Sequence, residues 1–239
     1  MTLPVAILAG GLATRLRPIT EKIPKALVEV AGRPFIDHQL ALLRAQGYTR
    51  VVLCIGYLGE MLERHLGDGA RFGMDLAYVA DGPKLLGTGG ALRRALPLLG
   101  DAFFVLYGDS YLPCGFEAVE AAFRRSAMPA LMTVLRNEDR WDTSNVVFRD
   151  AMVLRYDKKE RSEAMRYIDY GLSAIKAGAL TSYEDGAVFE LADVFSTLAS
   201  EGRLAGFEVS GRFYEIGSPA GLADTERYLS RHSLVEPLT

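Results

Sequence analysis

The sequence predicts an α/β fold with a mainly parallel central sheet, flanked by helices, and an inserted β-hairpin region. Short apolar runs alternate with segments of helical periodicity up to about residue 135, as in βαβ units. After that point, two strand-like segments follow each other across a short turn in residues 144–159, which indicates a hairpin. The 239 residues are 49% hydrophobic and 24% charged, which is typical of a globular domain with a sizeable core.

The first part of the chain contains five predicted strands and four predicted helices. Each strand is a short apolar run, as in buried parallel strands. The strands lie at residues 5–9, 50–57, 74–81, 102–109 and 130–136, and the helices at residues 34–47, 59–69, 88–100 and 116–126. In the first helix, Ile36, Leu40 and Leu43 recur at helical spacing and Gly47 is the stop signal. We expect right-handed crossovers between the strands.

The second part of the chain begins with the hairpin, whose turn is predicted near Arg149–Asp150. Further strands are predicted at residues 167–177, 204–211 and 212–218, and helices at residues 190–202 and 219–232. The first of these helices has an apolar face formed by Leu191, Val194, Phe195 and Leu198. Since no linker or repeat interrupts the pattern, we expect one domain over residues 1–239.

Composition and charge exclude several classes of protein. The net charge is -3 and no basic stripe is present, which argues against a nucleic-acid partner. Cys54 and Cys114 form neither a disulfide framework nor a zinc motif, and the three histidines are scattered. The first apolar run is too short for a membrane span and lacks the charged leader of a signal peptide. We therefore expect no membrane partner and a cytoplasmic location; the oligomeric state cannot be read from the sequence.

A glycine pair and a group of cations follow the first predicted strand. Gly10 and Gly11 would lie at the carboxyl edge of the sheet, where backbone N–H groups can approach a phosphate. Arg15 and Lys25 follow within the same stretch and could neutralise phosphate oxygens. The glycine pair alone also fits a tight turn with solvated arginines, but the lysine on a stiff Pro-Lys turn favours an anion site. Neither a P-loop nor a G-x-G-x-x-G fingerprint is present.

Residues 8–20 read LAGGLATRLRPIT, and Pro24-Lys25 follow. This stretch resembles the L-A-G-G-x-G-T-R-L-x-P-x-T…P-K signature of the sugar-1-phosphate nucleotidyltransferases, with Ala13 where the family mostly has glycine. The resemblance implies a Rossmann-like nucleotidyltransferase fold and catalytic roles for Arg15 and Lys25. Residues 1–135 would then be the nucleotide-binding part and residues 136–239 the sugar-phosphate-binding part.

The same resemblance assigns further residues. Nucleotide contacts are implied for Leu8, Ala9, Gly10, Gly11, Gly87, Thr88 and Gly89. Residues 85–92, LLGTGGAL, form the second glycine segment. Its bare backbone would let the flat ring of the base pack on it, and Thr88 could cap the following helix. As an alternative, this segment could serve only as a helix start.

Two acids resemble the metal ligands of the family. Asp109 ends a buried strand, and Glu215 stands where the family commonly has aspartate. Together they would bind Mg2+, with the longer Glu215 side chain as a departure that affects the metal geometry. Sugar-phosphate contacts are implied for Asn145, Lys158, Asp169 and Gly171, with a solvated hairpin as the competing interpretation for Lys158.

The reaction implied is sugar 1-phosphate plus NTP giving NDP-sugar plus pyrophosphate. The second glycine segment and the compact length are most similar to those of bacterial heptose-1-phosphate guanylyltransferases, with mannose-1-phosphate guanylyltransferases and muramic-acid-phosphate uridylyltransferases as close alternatives. The compact length implies a single activity. Two other hypotheses stay open: a non-catalytic nucleotide-sugar sensor, and a glycosyltransferase, although residues 108–111 offer only one acid of a D-x-D motif.

Overall fold

A nine-stranded mixed sheet runs through the protein in the computed structural model, which describes residues 2–12 and 14–232. The strands are β1 Val5–Ala9, β2 Glu29–Val30, β3 Arg33–Pro34, β4 Arg50–Ile55, β5 Asp75–Ala80, β6 Ala102–Tyr107, β7 Ser110–Tyr111, β8 Ala130–Arg136, β9 Val146–Arg149, β10 Met152–Tyr156, β11 Tyr167–Lys176, β12 Leu204–Val209 and β13 Tyr214–Glu215. The helices are α1 Phe35–Ala45, α2 Gly59–Leu66, α3 Gly87–Leu99, α4 Phe116–Ser126, α5 Leu191–Ser200 and α6 Pro219–His232.

The large sheet has the strand order β5-β4-β1-β6-β11-β8-β12-β10-β9. Strands β5, β4, β1 and β6 are parallel to one another, as the alternating pattern predicts. The expectation of a mainly parallel sheet is not confirmed for the sheet as a whole, because β11 lies antiparallel between β6 and β8, and β10 is antiparallel to β9 and β12. The sequence shows that β11 is a strand, but its position depends on pairing with residues 30 or more positions away.

The inserted hairpin is formed by β9 and β10 at the edge of the sheet. Asp150 and Ala151 at its tip both have positive φ, 52° and 58°, which suits a tight two-residue turn. The turn therefore lies one residue later than the sequence predicts. A second small pairing, between β7 and β13, places Glu215 opposite Ser110.

Helices cover both faces of the sheet. Alternate residues of β1 belong to different apolar clusters: Val5 and Ile7 to the cluster shared with α1, α2 and α4, and Ala6 to the cluster shared with α3 and α5. The predicted apolar face of α5 is buried. Because the helices cover the two faces, the loops that follow β1, β5 and β6 lie together at the carboxyl edge of the sheet.

Packing and hydrogen bonds within the fold account for one cysteine and two histidines. Cys54 is buried, and burial raises the pKa of its thiol to about 12. His38 hydrogen-bonds the Val30 carbonyl at 2.8 Å, and His65 contacts the Asp37 carboxylate at 2.7 Å.

Over residues 2–12 and 14–232, none of the helices combines the length and the apolar character needed to cross a membrane.

Candidate active site

Two adjoining cavities lie at the carboxyl edge of the parallel strands. The first cavity has a volume of about 440 Å³ and the second about 650 Å³. Tyr107 and Asp109 line both, so they mark the boundary between the two. This is the edge at which open α/β sheets bind ligands.

Most of the predicted nucleotide-binding residues line the first cavity. It is bounded by Leu8, Ala9, Gly10, Gly11, Gly87 and Thr88, together with Lys25 and Asp109. Gly10 packs closely on the next loop, because a Cβ there would lie 3.1 Å from the Gly56 nitrogen. The end of β1 therefore needs glycine for this packing as well as for access to a ligand.

Lys25 and Asp109 form an ion pair at the boundary of the cavities. The Lys25 Nζ lies 2.9 Å from the Asp109 Oδ2, and their side chains are 22% and 32% exposed. Lys25 begins a short 3-10 helix, Lys25–Leu27, directly after Pro24 in an extended conformation. The pair brings a catalytic and a metal-binding candidate together across 84 residues of sequence.

Gln39 of α1 holds the turn that carries Asp109. Its Nε2 donates to the Tyr107 carbonyl at 2.9 Å and to the Ser110 carbonyl at 2.7 Å. The backbone N–H of Ile216 donates to the Asp109 carbonyl at 2.9 Å. Sequence reasoning missed Gln39, since a polar residue in a helix gives no sign of which distant turn it contacts.

The carboxylate of Glu215 lies against the beginning of α6. Its Oε1 accepts a hydrogen bond from Ser218 Oγ at 2.8 Å, and its Oε2 accepts one from the Gly217 N–H. A Cβ on Gly217 would lie 2.6 Å from this Oε2, 3.4 Å from Asp109 Oδ2 and 3.5 Å from Lys25 Nζ. The two acids and the lysine therefore surround Gly217, and a side chain at this position would collide with the Glu215 carboxylate.

The two carboxylates fit Mg2+ as oxygen ligands. Mg2+ is commonly held by one or two protein carboxylates, with substrate phosphates and water completing the octahedron. Within the described ranges, no group of three or more His, Cys, Asp or Glu side chains could hold a metal. Asp109 and Glu215 would therefore depend on phosphate oxygens to complete the shell. The hydrogen bond from Ser218 fixes the direction of the longer Glu215 side chain.

The second cavity gathers the predicted sugar-phosphate residues. It is lined by Asn145, Lys158, Asp169 and Gly171, together with Arg15, Asp109 and Glu215. Hydrogen bonds connect this group: Asn145 Oδ1 accepts from the Asp169 N–H at 2.9 Å, and Asp169 Oδ1 accepts from the Gly171 N–H at 3.0 Å. The Tyr156 hydroxyl donates to Asp169 Oδ2 at 3.1 Å. These bonds hold the polar side chains in place before a ligand binds.

The two cations of the second cavity come from different parts of the chain. Arg15 lies exposed in a 3-10 helix, Thr14–Leu16, and Ala13 lies outside the described residues. Lys158 is exposed, but its Nζ lies 5.4 Å from the centre of the Tyr107 ring and 5.9 Å from that of Tyr156. Both distances are within the range of a cation–π contact. Lys158 is therefore directed over rings beside the cavity, unlike a lysine on a purely solvated hairpin.

The second glycine segment differs from the expectation. Gly89 does not line either cavity, and a Cβ there would lie 2.3 Å from the ring of Phe189. The flat ring that packs on this bare backbone is therefore a side chain of the protein. Thr88 Oγ1 accepts a hydrogen bond from the Leu191 N–H at 2.8 Å, so Thr88 caps α5 and not its own helix.

Several residues of the first cavity were not predicted. Asp81, Val188 and Glu190 all line it. Asp81 directly follows β5, at the same edge as Gly10 and Asp109, and this position could have singled it out. Val188 and Glu190 come from the second part of the chain and carry no comparable signal, because only the fold brings their segment against α3.

Sequence comparisons find a family and relatives that match most of this chain. The profile of the family described as Nucleotidyl transferase matches residues 5–150. The N-acetylmuramate alpha-1-phosphate uridylyltransferase of Neisseria meningitidis serogroup B is 30% identical over 227 residues, covering 92% of this chain and 95% of that protein. The mannose-1-phosphate guanylyltransferase catalytic subunit beta of Xenopus tropicalis is 29% identical over 219 residues, covering 89% of this chain and 61% of that protein.

Solved structures share the fold at lower identity. A Bacillus anthracis protein in complex with a sucrose superimposes with a TM-score of 0.86 at 20% identity, over 98% of both chains. HddC from Yersinia pseudotuberculosis, complexed with GMP-PN, gives a TM-score of 0.79 at 22% identity, over 95% of this chain and 100% of that one. These likenesses confirm the predicted α/β architecture.

Proposed function

The chain belongs to the nucleotidyl transferase family and joins an NTP to a sugar 1-phosphate with release of pyrophosphate, and we propose that its two cavities divide these substrates. The first cavity would bind the NTP and the second the sugar 1-phosphate. The observation that carries this proposal is the Lys25–Asp109 pair, at 2.9 Å, on the boundary that both cavities share.

The roles of the charged residues follow from the chemistry. An oxygen of the sugar phosphate attacks the α-phosphorus of the NTP, and pyrophosphate leaves. The attacking oxygen is already anionic, so no strong base is needed. The main obstacle is repulsion between two anions, and positioning with fixed cations overcomes it. Lys25 would lie beside the α-phosphate and the sugar phosphate, Arg15 would hold the departing pyrophosphate, and Lys158 would orient the sugar phosphate.

Asp109 and Glu215 would hold Mg2+, which when bound supplies positive charge to the reacting phosphates. The hydrogen bonds from Ser218 and Gly217 orient the Glu215 carboxylate for this task. Gly10 and Gly11 would offer backbone N–H groups to the NTP phosphates. Gly87 and Thr88 would border the nucleoside, while Gly89 would act through its contact with Phe189.

The single domain over residues 1–239 would comprise a nucleotide-binding part, residues 1–135, and a sugar-phosphate-binding part, residues 136–239. The nine-stranded sheet supports this arrangement, since β11 from the second part lies between β6 and β8 from the first. Asn145, Lys158, Asp169 and Gly171 all belong to the second part and line the second cavity. A cytoplasmic location is proposed with it, because nucleoside triphosphates are cytoplasmic substrates.

For the substrate pair we propose GTP with a heptose or mannose 1-phosphate. The resemblance of the second glycine segment to heptose-1-phosphate guanylyltransferases supports it, as does the similarity to mannose-1-phosphate guanylyltransferases. The second candidate is UTP with N-acetylmuramic acid 1-phosphate, which the relative from Neisseria meningitidis favours by its nearly full-length match.

Pyrophosphate release measured over a matrix of NTPs and sugar 1-phosphates tests the proposal. We expect release that requires Mg2+, both substrates and Lys25. Binding of nucleotide without pyrophosphate release from any pair would favour the non-catalytic sensor. Release with UTP and N-acetylmuramic acid 1-phosphate, but not with GTP, would establish the second candidate.

A further inference from the structure

The wall of the first cavity combines exposed apolar side chains with one buried carboxylate. Leu85 and Val188 line the cavity and are 38% and 51% exposed, although both are large and apolar. Cys54 and Ala91 add apolar surface. Asp81 lines the same cavity and is only 7% exposed. A flat aromatic ring that covered Leu85 and Val188 would bring its edge to a wall that contains a carboxylate.

The carboxylate of Asp81 has capacity for more hydrogen bonds than the protein supplies. Its Oδ2 accepts from the Leu86 N–H at 3.2 Å, the one hydrogen bond to this side chain within residues 2–12 and 14–232. A carboxylate has about four acceptor positions, and its burial costs free energy that further hydrogen bonds would offset. Burial raises the pKa of Asp81, while the Leu86 N–H and the Arg94 charge act in the opposite direction. One carboxylate oxygen is thus bound by the Leu86 N–H, and the other accepts no hydrogen bond from the residues that the structure describes.

The bases differ in what they offer to such a carboxylate. A carboxylate only accepts hydrogen bonds and binds best to two adjacent donors. The guanine edge presents N1–H and the N2 amino group side by side. Uracil and thymine present one N–H between two carbonyl oxygens, and a carboxylate oxygen that faces a carbonyl oxygen is repelled by it. Adenine and cytosine present an amino group beside a bare ring nitrogen, so one of the two oxygens would face another acceptor.

We propose that Asp81 reads the N1–H and N2 amino edge of guanine and so selects GTP as the nucleotide. This inference rests on the proposed function, in which the first cavity holds the NTP. It separates the two substrate pairs left open above, because guanine offers two adjacent donors to a carboxylate and uracil offers only one. Leu85 and Val188 are the exposed apolar side chains that the purine would cover.

The direct test is equilibrium binding of GTP, ITP, XTP and UTP by calorimetry, with Mg2+ and without sugar phosphate. ITP lacks only the N2 amino group. For the wild type we expect GTP to bind about 10- to 100-fold more tightly than ITP, the discrimination that a bidentate contact gives, and more tightly than UTP. Equal affinity for GTP and ITP, or tighter binding of UTP than of GTP, would overturn the proposal. This test uses only the wild-type protein.

The Asp81→Asn variant provides a second test, because it should shift the preference of the site from GTP towards XTP. The amide would accept from N1–H but donate to the O2 of xanthine, so the ratio of XTP to GTP affinity should rise at least tenfold. Asp75→Asn, at the exposed beginning of β5, the strand that Asp81 directly follows, is the matched control and should leave the ratio unchanged. An unchanged ratio in a folded Asp81→Asn variant would refute the assignment.

The pyrophosphate assay separates this inference from the proposed function. Release from UTP but not from GTP would leave a nucleotidyltransferase whose base is not read by Asp81. Absence of release from every pair, with selective GTP binding intact, would overturn the catalytic proposal and retain the base assignment.

Discussion

At the scale of single residues, the site depends on a few charged side chains that are partly buried. Lys25 Nζ and Asp109 Oδ2 are 2.9 Å apart, at side-chain exposures of 22% and 32%. Such partial burial strengthens their interaction with a bound phosphate, compared with fully solvated charges. It also keeps both groups in place in the absence of substrate, which is the condition for electrostatic preorganisation.

Lys25→Ala should keep the fold and lose most of the turnover. Removal of one preorganised charge from such a site typically costs on the order of 3 kcal/mol in the transition state, or about a hundredfold in kcat. Steady-state pyrophosphate release checks the rate, and circular dichroism checks the fold. Lys22→Ala is the control, since Lys22 is exposed in the same segment and lines neither cavity. Near-wild-type turnover in Lys25→Ala would contradict its assigned role.

At the scale of elements, the first turn of α6 sets the position of Glu215. A Cβ on Gly221 would lie 1.7 Å from Glu215 Oε1 and 2.7 Å from the Glu215 carbonyl oxygen. A Cβ on Gly217, one position before Ser218, would lie 2.6 Å from Glu215 Oε2. The two glycines of this segment therefore leave the space that the Glu215 carboxylate occupies.

Gly221→Ala should displace the Glu215 carboxylate and reduce activity on the order of a hundredfold, the cost of a misplacement of about 1 Å in a reacting assembly. In an ordinary helix this substitution would add about 0.5–1 kcal/mol of stability, so a loss of activity without unfolding is the diagnostic result. Kinetics and thermal unfolding measure the two effects. Gly178→Ala, where a Cβ would meet nothing within 4 Å, is the control and should leave activity unchanged.

The carboxylate of Glu120 joins helix α4 to the segments that lead into β1 and β4. Its Oε2 accepts hydrogen bonds from the Tyr48 hydroxyl at 2.9 Å and from the Leu3 N–H at 3.3 Å, and Arg124 binds Oε1 at 2.6 Å. Burial alone would raise the pKa of Glu120, but these bonds outweigh it and lower the pKa below its ordinary value. A lowered native pKa stabilises the fold at pH values above the unfolded pKa, and the contribution is lost as the pH falls through the native value.

Glu120→Gln should lower the free energy of unfolding by about 2 kcal/mol at neutral pH, since it weakens charge-assisted hydrogen bonds at a buried site. The deficit should shrink as the pH falls below about 4.5, the ordinary pKa of glutamate, and vanish below the native pKa. Urea unfolding of both proteins over a pH series measures this difference. Glu117→Gln, exposed on the same helix, should change stability little at any pH. A deficit independent of pH would indicate a packing effect and not the carboxylate.

At the scale of the whole molecule, one sheet carries both cavities. The first cavity takes its walls from the parallel strands and from residues 188–190, while the second takes them from the hairpin, β11 and β13. Because Val188 and Glu190 line the first cavity together with residues of the first part, a ligand in this cavity would contact both parts of the chain. Ligand binding should therefore stabilise the molecule as a unit.

An NTP with Mg2+, at a hundred times its Kd, should raise the free energy of unfolding by about 2.7 kcal/mol and Tm by roughly 5–10 °C. EDTA should remove most of this shift, because the NTP phosphates and the two carboxylates would then repel each other. In Asp109→Asn the shift should depend much less on EDTA, while Asp101→Asn, at an exposed position, should behave as the wild type. A wild-type shift that EDTA leaves unchanged would argue against the metal assignment.

Local patterns in the sequence predicted most of the helices and strands. Spacing in residues 191–198 predicted the buried face of α5, and short apolar runs predicted β1, β4, β5 and β6. The hairpin was predicted with its turn displaced by one residue. These features follow from the residues themselves, because helical periodicity, strand propensity and turn chemistry act over a few neighbouring positions.

Other features required the fold. That β11 lies between β6 and β8 follows from pairing over long sequence separations. That Phe189 covers Gly89, and that Thr88 caps α5, follow from the packing of residues 187–191 on α3. The same packing brings Val188 to the first cavity, where no local pattern in the sequence indicates it.

The sequence by itself determined the class of this protein, its alternating elements and the glycine loop with Arg15 and Lys25, because each depends on residues close together in the chain. The tertiary structure decided which distant charges meet: Lys25 with Asp109, Glu215 with the first turn of α6, and Asp81 with the apolar wall of the first cavity. The physical reason is that a site is defined by distances between side chains, and those distances exist only after strands from both parts have paired into one sheet.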